Sequence, residues 1–326
     1  MDRDIIFLIL QYNNVDVTMN CIHSILKLKE LHRIRIVVVD NCSSDGAGRK
    51  IIERMRVIFQ ENYKAEPIEN TQVFVFKNKD GCSVDILCRQ VNDGFSRGNN
   101  FGFQYIKDKY TLQFLIVANS DVEFTQEDII KKIEEEYAQS TFDVLGPDIW
   151  APYKGIHQNP LDSRIPTIKE VNRTIFLNRV CLYLFPLVYP ILKKYVQSVS
   201  KSSDLYITRA ENVCLQGSCM IYSKKYIELR ERISQQENDV IGSALFYPET
   251  SFYYEEFLQT LWCRNNGCQM IYTPNIKINH MEGQSTNTIS TRECKKTKFR
   301  MKNILLSAQI YRDELSKLRE SERNHG

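Results

Sequence analysis

The sequence predicts an α/β fold: a Rossmann-like, mainly parallel sheet with helices on both faces. Residues 5–10 are a continuous apolar run, and 34–39, "IRIVVV", are a second one rich in β-branched side chains. Between them, "VTMNCIHSILKLKELH" carries apolar residues at helical spacing, which completes a strand–helix–strand unit. A third apolar run, 114–118, stops abruptly at Asn119, Ser120 and Asp121. That puts a carboxylate at the carboxyl tip of a buried strand, where open α/β sheets bind their ligands.

The remaining elements follow in order. Residues 47–60 predict a helix, "VFVF" at 73–76 a strand, 96–108 a helix and 112–118 the strand with the acidic tip. A helix over about 125–138 and the strand-like "FDVLGP" continue the alternation. The pattern breaks after Trp150, where Pro152, Pro160 and Pro166 make 151–168 a loop. Regular structure resumes near 211, with a helix from 224, another over 251–266, short strands at 269–273 and 276–280, and a long helical tail at 292–323.

Within "RVCLYLFPLVYPILKK", residues 180–192 carry no charge. The run is too short to span a bilayer as a helix, which takes about 20 residues. Flanked by Arg173, Arg179, Lys193 and Lys194, the 173–196 segment reads either as a helix lying in the interface of an anionic membrane or as a core helix kinked at Pro186 and Pro190.

Lys plus Arg number 43 against 40 Asp plus Glu, a net charge of +3, which gives no argument for a nucleic-acid partner. The 10 cysteines are scattered, and free thiols in a reducing cytoplasm are the simplest account of them. Cys214/Cys219 and Cys263/Cys268 have spacings zinc tolerates, but neither pair sits in a glycine-rich knuckle. "MDRDIIFLIL" reads as a first strand rather than an export signal.

Five stretches carry chemistry. "VVVDNCSSDGAG" ends a strand on Asp40, placed to accept a hydrogen bond from a base or ribose, while Ser43, Ser44 and Asp45 read as turn formers. "NDGFSRGNNFGF", 92–103, opens a helix whose N–H groups and Arg97 suit a diphosphate. It lacks G-x-G-x-x-G, which argues against hydride transfer with a dinucleotide. "NSD" offers Asp121, and one or two carboxylates are enough for Mg²⁺ or Mn²⁺ when phosphates and water complete the shell. Glu255 and Glu256 stand among Phe252, Tyr253, Tyr254 and Phe257, which makes full solvation of the pair implausible. His280 follows a short strand, a good setting for a metal ligand.

In this order the stretches resemble the family 2 glycosyltransferases of the GT-A fold, especially bacterial enzymes that build rhamnose-containing and other surface polysaccharides. The resemblance covers roughly 5–150 and 211–286, and 151–210 and the tail contribute little to it. It implies a nucleotide-sugar-binding half (1–150), an insertion (151–210), an acceptor and catalytic half (211–290), and a C-terminal helical extension (291–326). It implies that Gln11, Tyr12, Asn13 and Asp40 hold the nucleotide base, and that Asn92, Gly94, Arg97 and Asn99 serve the donor together with Asn119 and Ser120. It makes Asp121 and His280 the contacts of a divalent Mg²⁺ or Mn²⁺, and Glu255 and Glu256 the catalytic pair with Glu256 as general base.

The sequence departs from the family pattern at four places. Asn119 stands where an Asp is usual, lowering the charge near the metal, and Glu256 replaces an Asp, one methylene shorter. Leu258 and Trp262 replace an acidic residue and an Arg, which implies an altered acceptor or phosphate contact. The resemblance implies inverting transfer from a dTDP- or UDP-sugar, dTDP-rhamnose among them, to a glycan or polyprenyl-linked hydroxyl at the cytoplasmic face of the cell membrane. A non-catalytic nucleotide-sugar-binding partner protein is the alternative. A nucleotidyltransferase would need a basic loop after the first strand, and "QYNNVDVTMN" has no Lys or Arg.

Overall fold

The computed structural model describes residues 4–60, 62–68, 71–189, 204–237, 244–250, 252–281 and 293–325. In chain order its elements are β1 (Asp4–Gln11), α1 (Val15–Ile25), β2 (Ile34–Asp40), α2 (Ala47–Ile58), β3 (Tyr63–Ile68), β4 (Thr71–Lys77) and β5 (Ser83–Cys88). Then come α3 (Phe95–Lys109), β6 (Leu112–Asn119), β7 (Val122–Phe124), α4 (Ile129–Ser140), β8 (Val144–Ala151), β9 (Ile156–His157) and α5 (Ile168–Tyr183). The last are β10 (Ala210–Glu211), β11 (Cys219–Ser223), α6 (Lys224–Glu237), α7 (Glu255–Asn265), β12 (Met270–His280) and α8 (Glu293–His325).

All the strands join one mixed sheet, ordered β10-β12-β8-β11-β6-β1-β2-β5-β4-β3, with β7 on β12 and β9 on β8. Its centre is parallel: β1 runs between β2 and β6, and β2 pairs β5. Side chains alternate between the two faces, as the pleat requires. Ile5, Phe7 and Ile9 pack with Met19, Ile22, Ile51 and Ile130 on one side, while Ile6 and Leu8 pack with Phe103, Ile106 and Tyr226 on the other. Each such aliphatic side chain contributes roughly 1.5–3 kcal/mol on burial, so this sheet is the rigid frame of the molecule.

Register sets the positions of the strand tips. Gln11 pairs with Asp40, and Leu10 with Asn119, so the polar ends of three parallel strands stand side by side. β11 lies antiparallel to β6 and brings its preceding turn to the same edge, where Asn119 N donates to Ser218 O at 2.9 Å. Gly98 and Gly102 let α3 approach the sheet closely: a Cβ on Gly102 would lie 2.5 Å from Leu8 and 2.7 Å from Val39.

Several sequence expectations are corrected. The strands expected at 269–273 and 276–280 are the single strand β12, whose register shifts between Thr273 and Lys277 at the Pro274 position. β3 and β5, which flank the expected 73–76 strand in an antiparallel meander, had no expectation. The 151–168 loop contains β9. The helix expected from 251 begins at Glu255, because Tyr253 and Tyr254 take left-handed backbone (φ 71° and 68°).

In its described part, 180–189, the uncharged run is mostly exposed or half-buried. α5 buries Val171 and Ile175 but leaves Phe176, Leu177, Val180 and Tyr183 exposed. The rest of that run, from residue 190, lies outside the described residues, as does 282–292. Among the described residues, no helix is long and apolar enough to cross a membrane. The tail is no appendage either. α8 joins α5 and α7 in a third apolar cluster of Val171, Ile175, Leu258, Leu261, Ala308 and Tyr311.

Candidate active site

The strand tips open into a cavity of about 680 Å³. Its walls come from the end of β1 (Leu10, Gln11, Tyr12), the start of α3 (Asn92 to Phe95, Arg97), the tip of β6 (Asn119, Ser120), the 216–218 turn, and the Glu255–Glu256 pair. Phe299 and Asn303 of α8 also line it, so the tail, which contributes little to the resemblance, supplies part of the wall.

At one end, Asp40 is buried and committed to protein partners. It accepts short hydrogen bonds from Gln11 Nε2 and Ser43 Oγ, and burial raises its pKa above the ordinary carboxylate value. Asp40 does not line the cavity; it anchors Gln11, which does. Asn13, in left-handed backbone (φ 52°), exchanges hydrogen bonds with Ser43 and Ser44 at 2.8–3.0 Å. Ser43 and Ser44 thereby fix the loop beside Tyr12 rather than merely turning the chain.

Beside this lies a polar lattice in which sequence reading named Asn92 and Gly94 but missed Asn41 and Arg89. Asn41 donates to Asn92 Oδ1 (2.9 Å) and to the Gly94 carbonyl (3.1 Å), and accepts from Arg89 (2.7 Å). Arg89 also pairs with Asp93 at 2.6 Å, holding that carboxyl below its usual range despite partial burial. Arg97 is exposed and lines the cavity, with Nε bonded to the Pro248 carbonyl at 3.0 Å. Asn99, expected to serve the donor, is instead fully buried, caps Phe95 O at 3.1 Å and is absent from the cavity wall. Its neighbour Asn100 does more for the site: it binds the 245–246 backbone through three hydrogen bonds of 2.8–3.0 Å, holding Phe246 in the wall.

The carboxylate pair begins α7. Glu256 Oε1 accepts from Gly217 N at 3.3 Å, and a Cβ at Gly217 would stand 2.8 Å from that oxygen. Glu255 is only 8% exposed, and its Oε1 has no hydrogen-bond partner. Burial, reinforced by the charge of Glu256, pushes Glu255 up to about 8, and burial likewise raises Glu256. Neither of the family departures further along α7 reaches the cavity. Leu258 is buried in the α5–α8 cluster and Trp262 stacks on Arg230 at 4.2 Å.

Asp121 and His280 meet because β7 pairs antiparallel with the end of β12, placing His280 opposite Val122. Met281 N closes the turn on Asp121 O at 2.9 Å, and His280 Nε2 lies 3.2 Å from Asp121 Oδ1. The other ring nitrogen, Nδ1, is 2.8 Å from Gln158 Oε1.

A family model described as Glycosyl transferase family 2 matches residues 7–228. The chain belongs to that family. The glycosyltransferase is also similar in fold to the mannosyltransferase PcManGT of Pyrobaculum calidifontis, solved with GDP-Man and Mn²⁺: TM-score 0.51, 10% identity, covering 95% of this chain and 74% of that one. S. aureus TarS 1-349 matches with TM-score 0.48 and 13% identity over 97% of this chain and 73% of that one. Its complex with UDP matches with TM-score 0.49 and 12% identity over 93% and 69%. No curated protein sequence matches the chain. The fold is the GT-A fold, as in that mannosyltransferase, and α7, β12 and α8 lie beyond the residues matched by the family model.

The glycosyltransferase's Asp121–His280 pair suits a divalent cation by its chemistry and spacing. One carboxylate oxygen and one imidazole nitrogen 3.2 Å apart match two neighbouring ligand atoms on one octahedral ion, which lie about 3 Å apart when each bond is about 2.1 Å. Among the described residues, no group of three or more His, Cys, Asp or Glu could hold a metal, so phosphates and water would supply the remaining ligands.

Proposed function

We propose that this glycosyltransferase inverts the anomeric centre as it moves a sugar from a UDP- or dTDP-sugar to a hydroxyl of a glycan or lipid-linked acceptor. One observation supports this reading above others: a single cavity is lined by both the neutral tip of β6, Asn119 and Ser120 just before Asp121, and the pair Glu255 and Glu256.

Gln11, Tyr12 and Asn13 hold the base, with Asp40 fixing Gln11 from behind. Asn92, Gly94 and Arg97 serve the diphosphate. Asp121 and His280 hold Mg²⁺ or Mn²⁺, which when bound supplies positive charge against the leaving diphosphate. Glu256 takes the acceptor proton as the hydroxyl oxygen bonds to the anomeric carbon and the bond to the diphosphate breaks on the opposite face. Burial raises its pKa above the ordinary glutamate value, which strengthens it as a base, and the Gly217 N–H steadies one of its oxygens. Aromatic walls from Phe246, Phe252, Tyr253 and Phe299 suit the apolar face of an acceptor sugar.

The enzyme works at an anionic membrane surface in this reading. Supporting it, Phe176, Leu177, Val180, Tyr183, Leu184 and Leu187 are exposed at helical spacing, with Arg173 and Arg179 also exposed. The sequence has no Asp or Glu from 171 to 203.

The test is a screen of UDP- and dTDP-sugars, with Mn²⁺ or with EDTA, scored for nucleoside diphosphate release. Release that EDTA suppresses is expected. Donor binding by calorimetry without release from any donor, acceptors included, would favour the non-catalytic binder.

A further inference from the structure

We propose that Gln158 is a positioning residue that fixes the tautomer and ring orientation of His280, keeping Nε2 open to a cation shared with Asp121. The proposal rests on the cation reading of the Asp121–His280 pair and concerns a residue outside the donor and catalytic sets.

The argument starts from the path of the chain. β9 folds back antiparallel on β8, pairing Trp150 with His157, and β8 runs parallel to β12 with Trp150 beside Asn279. Gln158 N bonds to the Ile149 carbonyl at 2.8 Å, which fixes its backbone one strand away from the end of β12. Its side chain therefore meets His280 from the side opposite Asp121, with Oε1 2.8 Å from Nδ1 and Asp121 Oδ1 3.2 Å from Nε2.

An amide oxygen only accepts hydrogen bonds, so Nδ1 must carry the proton in this pairing. A neutral imidazole has one N–H, and the lone pair is then on Nε2, directed at the space shared with Asp121. A histidine ligand that donates its other N–H to a fixed acceptor gains basicity and a set orientation, and losing that acceptor typically costs about 10–100-fold in metal affinity. With His280 only 8% exposed, water is a poor substitute for the missing acceptor. The Nε2–H tautomer would point a proton at the same space and close it to a cation.

The experiment has two arms. Long-range ¹H–¹⁵N NMR of the protein with Mg²⁺ and UDP, above the imidazole titration range, reads the tautomer directly. The Nδ1–H form is expected for the wild type and for Gln158→Glu, whose carboxylate also only accepts, and a mixed ring for Gln158→Ala. Mn²⁺ titration followed by electron paramagnetic resonance, alone and with UDP, should show Gln158→Ala binding about 10–100-fold more weakly and Gln158→Glu restoring affinity. A merely structural glutamine would not be rescued in that way. An Nε2–H ring in the wild type, or wild-type Mn²⁺ affinity in Gln158→Ala, overturns the proposal. An Nδ1–H ring in a wild-type protein that takes up no Mn²⁺ overturns the cation reading beneath it instead.

Discussion

Ser307, in the last helix, donates a 2.9 Å hydrogen bond to the carbonyl of Phe252, three residues before the carboxylate pair. Tyr311, one turn on, packs its ring against Tyr254 and Phe257 at 5.6 and 6.2 Å, and Phe299 meets Phe252 edge-on at 5.6 Å. Between these anchors, Tyr253 and Tyr254 hold left-handed backbone, a strain on the order of 1–3 kcal/mol each that persists only where surroundings impose it. The helix α8 packs against this stretch on both sides. Ser307→Ala should therefore lower kcat several-fold while leaving donor affinity intact, and Tyr311→Ala should cost about 3–5 kcal/mol of stability. Turnover measured beside urea unfolding checks both, and unchanged kcat in Ser307→Ala would remove α8 from the support of Glu255 and Glu256.

Glu256→Gln keeps the shape of the side chain and removes its basicity. Turnover should fall about 10²–10⁴-fold with unchanged donor binding by calorimetry. Gly217→Ala should lower kcat in the same direction, since its Cβ would lie 2.8 Å from Glu256 Oε1 and displace it. Wild-type turnover in Glu256→Gln would assign the base elsewhere.

The pH dependence follows from the raised pKa values of the pair. A base must be ionised, and burial favours the neutral carboxyl of Glu256, so the rising limb of kcat/KM should lie above the ordinary glutamate value of 4.5. Stability moves the opposite way. Glu255 is bound to its proton more tightly when folded than when unfolded, so its contribution is present at low pH and fades as pH rises through about 8. Glu255→Gln should match the wild type in Tm below about pH 5 and exceed it increasingly up to about pH 8, above which the difference levels off. A Tm difference independent of pH would mean that Glu255 titrates normally.

Gly102→Ala forces a methyl group into Leu8 and Val39 at 2.5–2.7 Å. Overpacking of this kind costs about 1–3 kcal/mol. Chemical denaturation should show that loss, and α3 should carry it to the cavity as weaker donor binding through Asn92 and Gly94.

For the membrane surface, Tyr183 and Leu187 are 87% and 75% exposed, so substituting them removes no core. Co-sedimentation with anionic liposomes should occur at low salt, weaken as salt is added, and disappear in Leu187→Asp without any change in Tm. Failure of the wild type to co-sediment at low salt would leave this face to another partner.

The sequence by itself determined the alternation of β1, α1, β2 and α3, the strand ending at Asn119, and the helix after Gly94. These are local matters, because periodicity, β-branched runs and glycine-led turns act within a few residues. It also supplied the residue types from which the cavity wall is built at the tips of β1 and β6. Only the tertiary structure decided that Asp40 supports Gln11 rather than lining the cavity, that Asn99 is buried while Asn100 holds Phe246, and that Leu258 and Trp262 face away. The Gln158–His280–Asp121 line and the brace from Ser307 to Phe252 were equally out of reach, because each joins residues far apart in the chain. Such contacts depend on strand register and helix docking, where a shift of a single residue in β12 would turn His280 to the other face of the sheet.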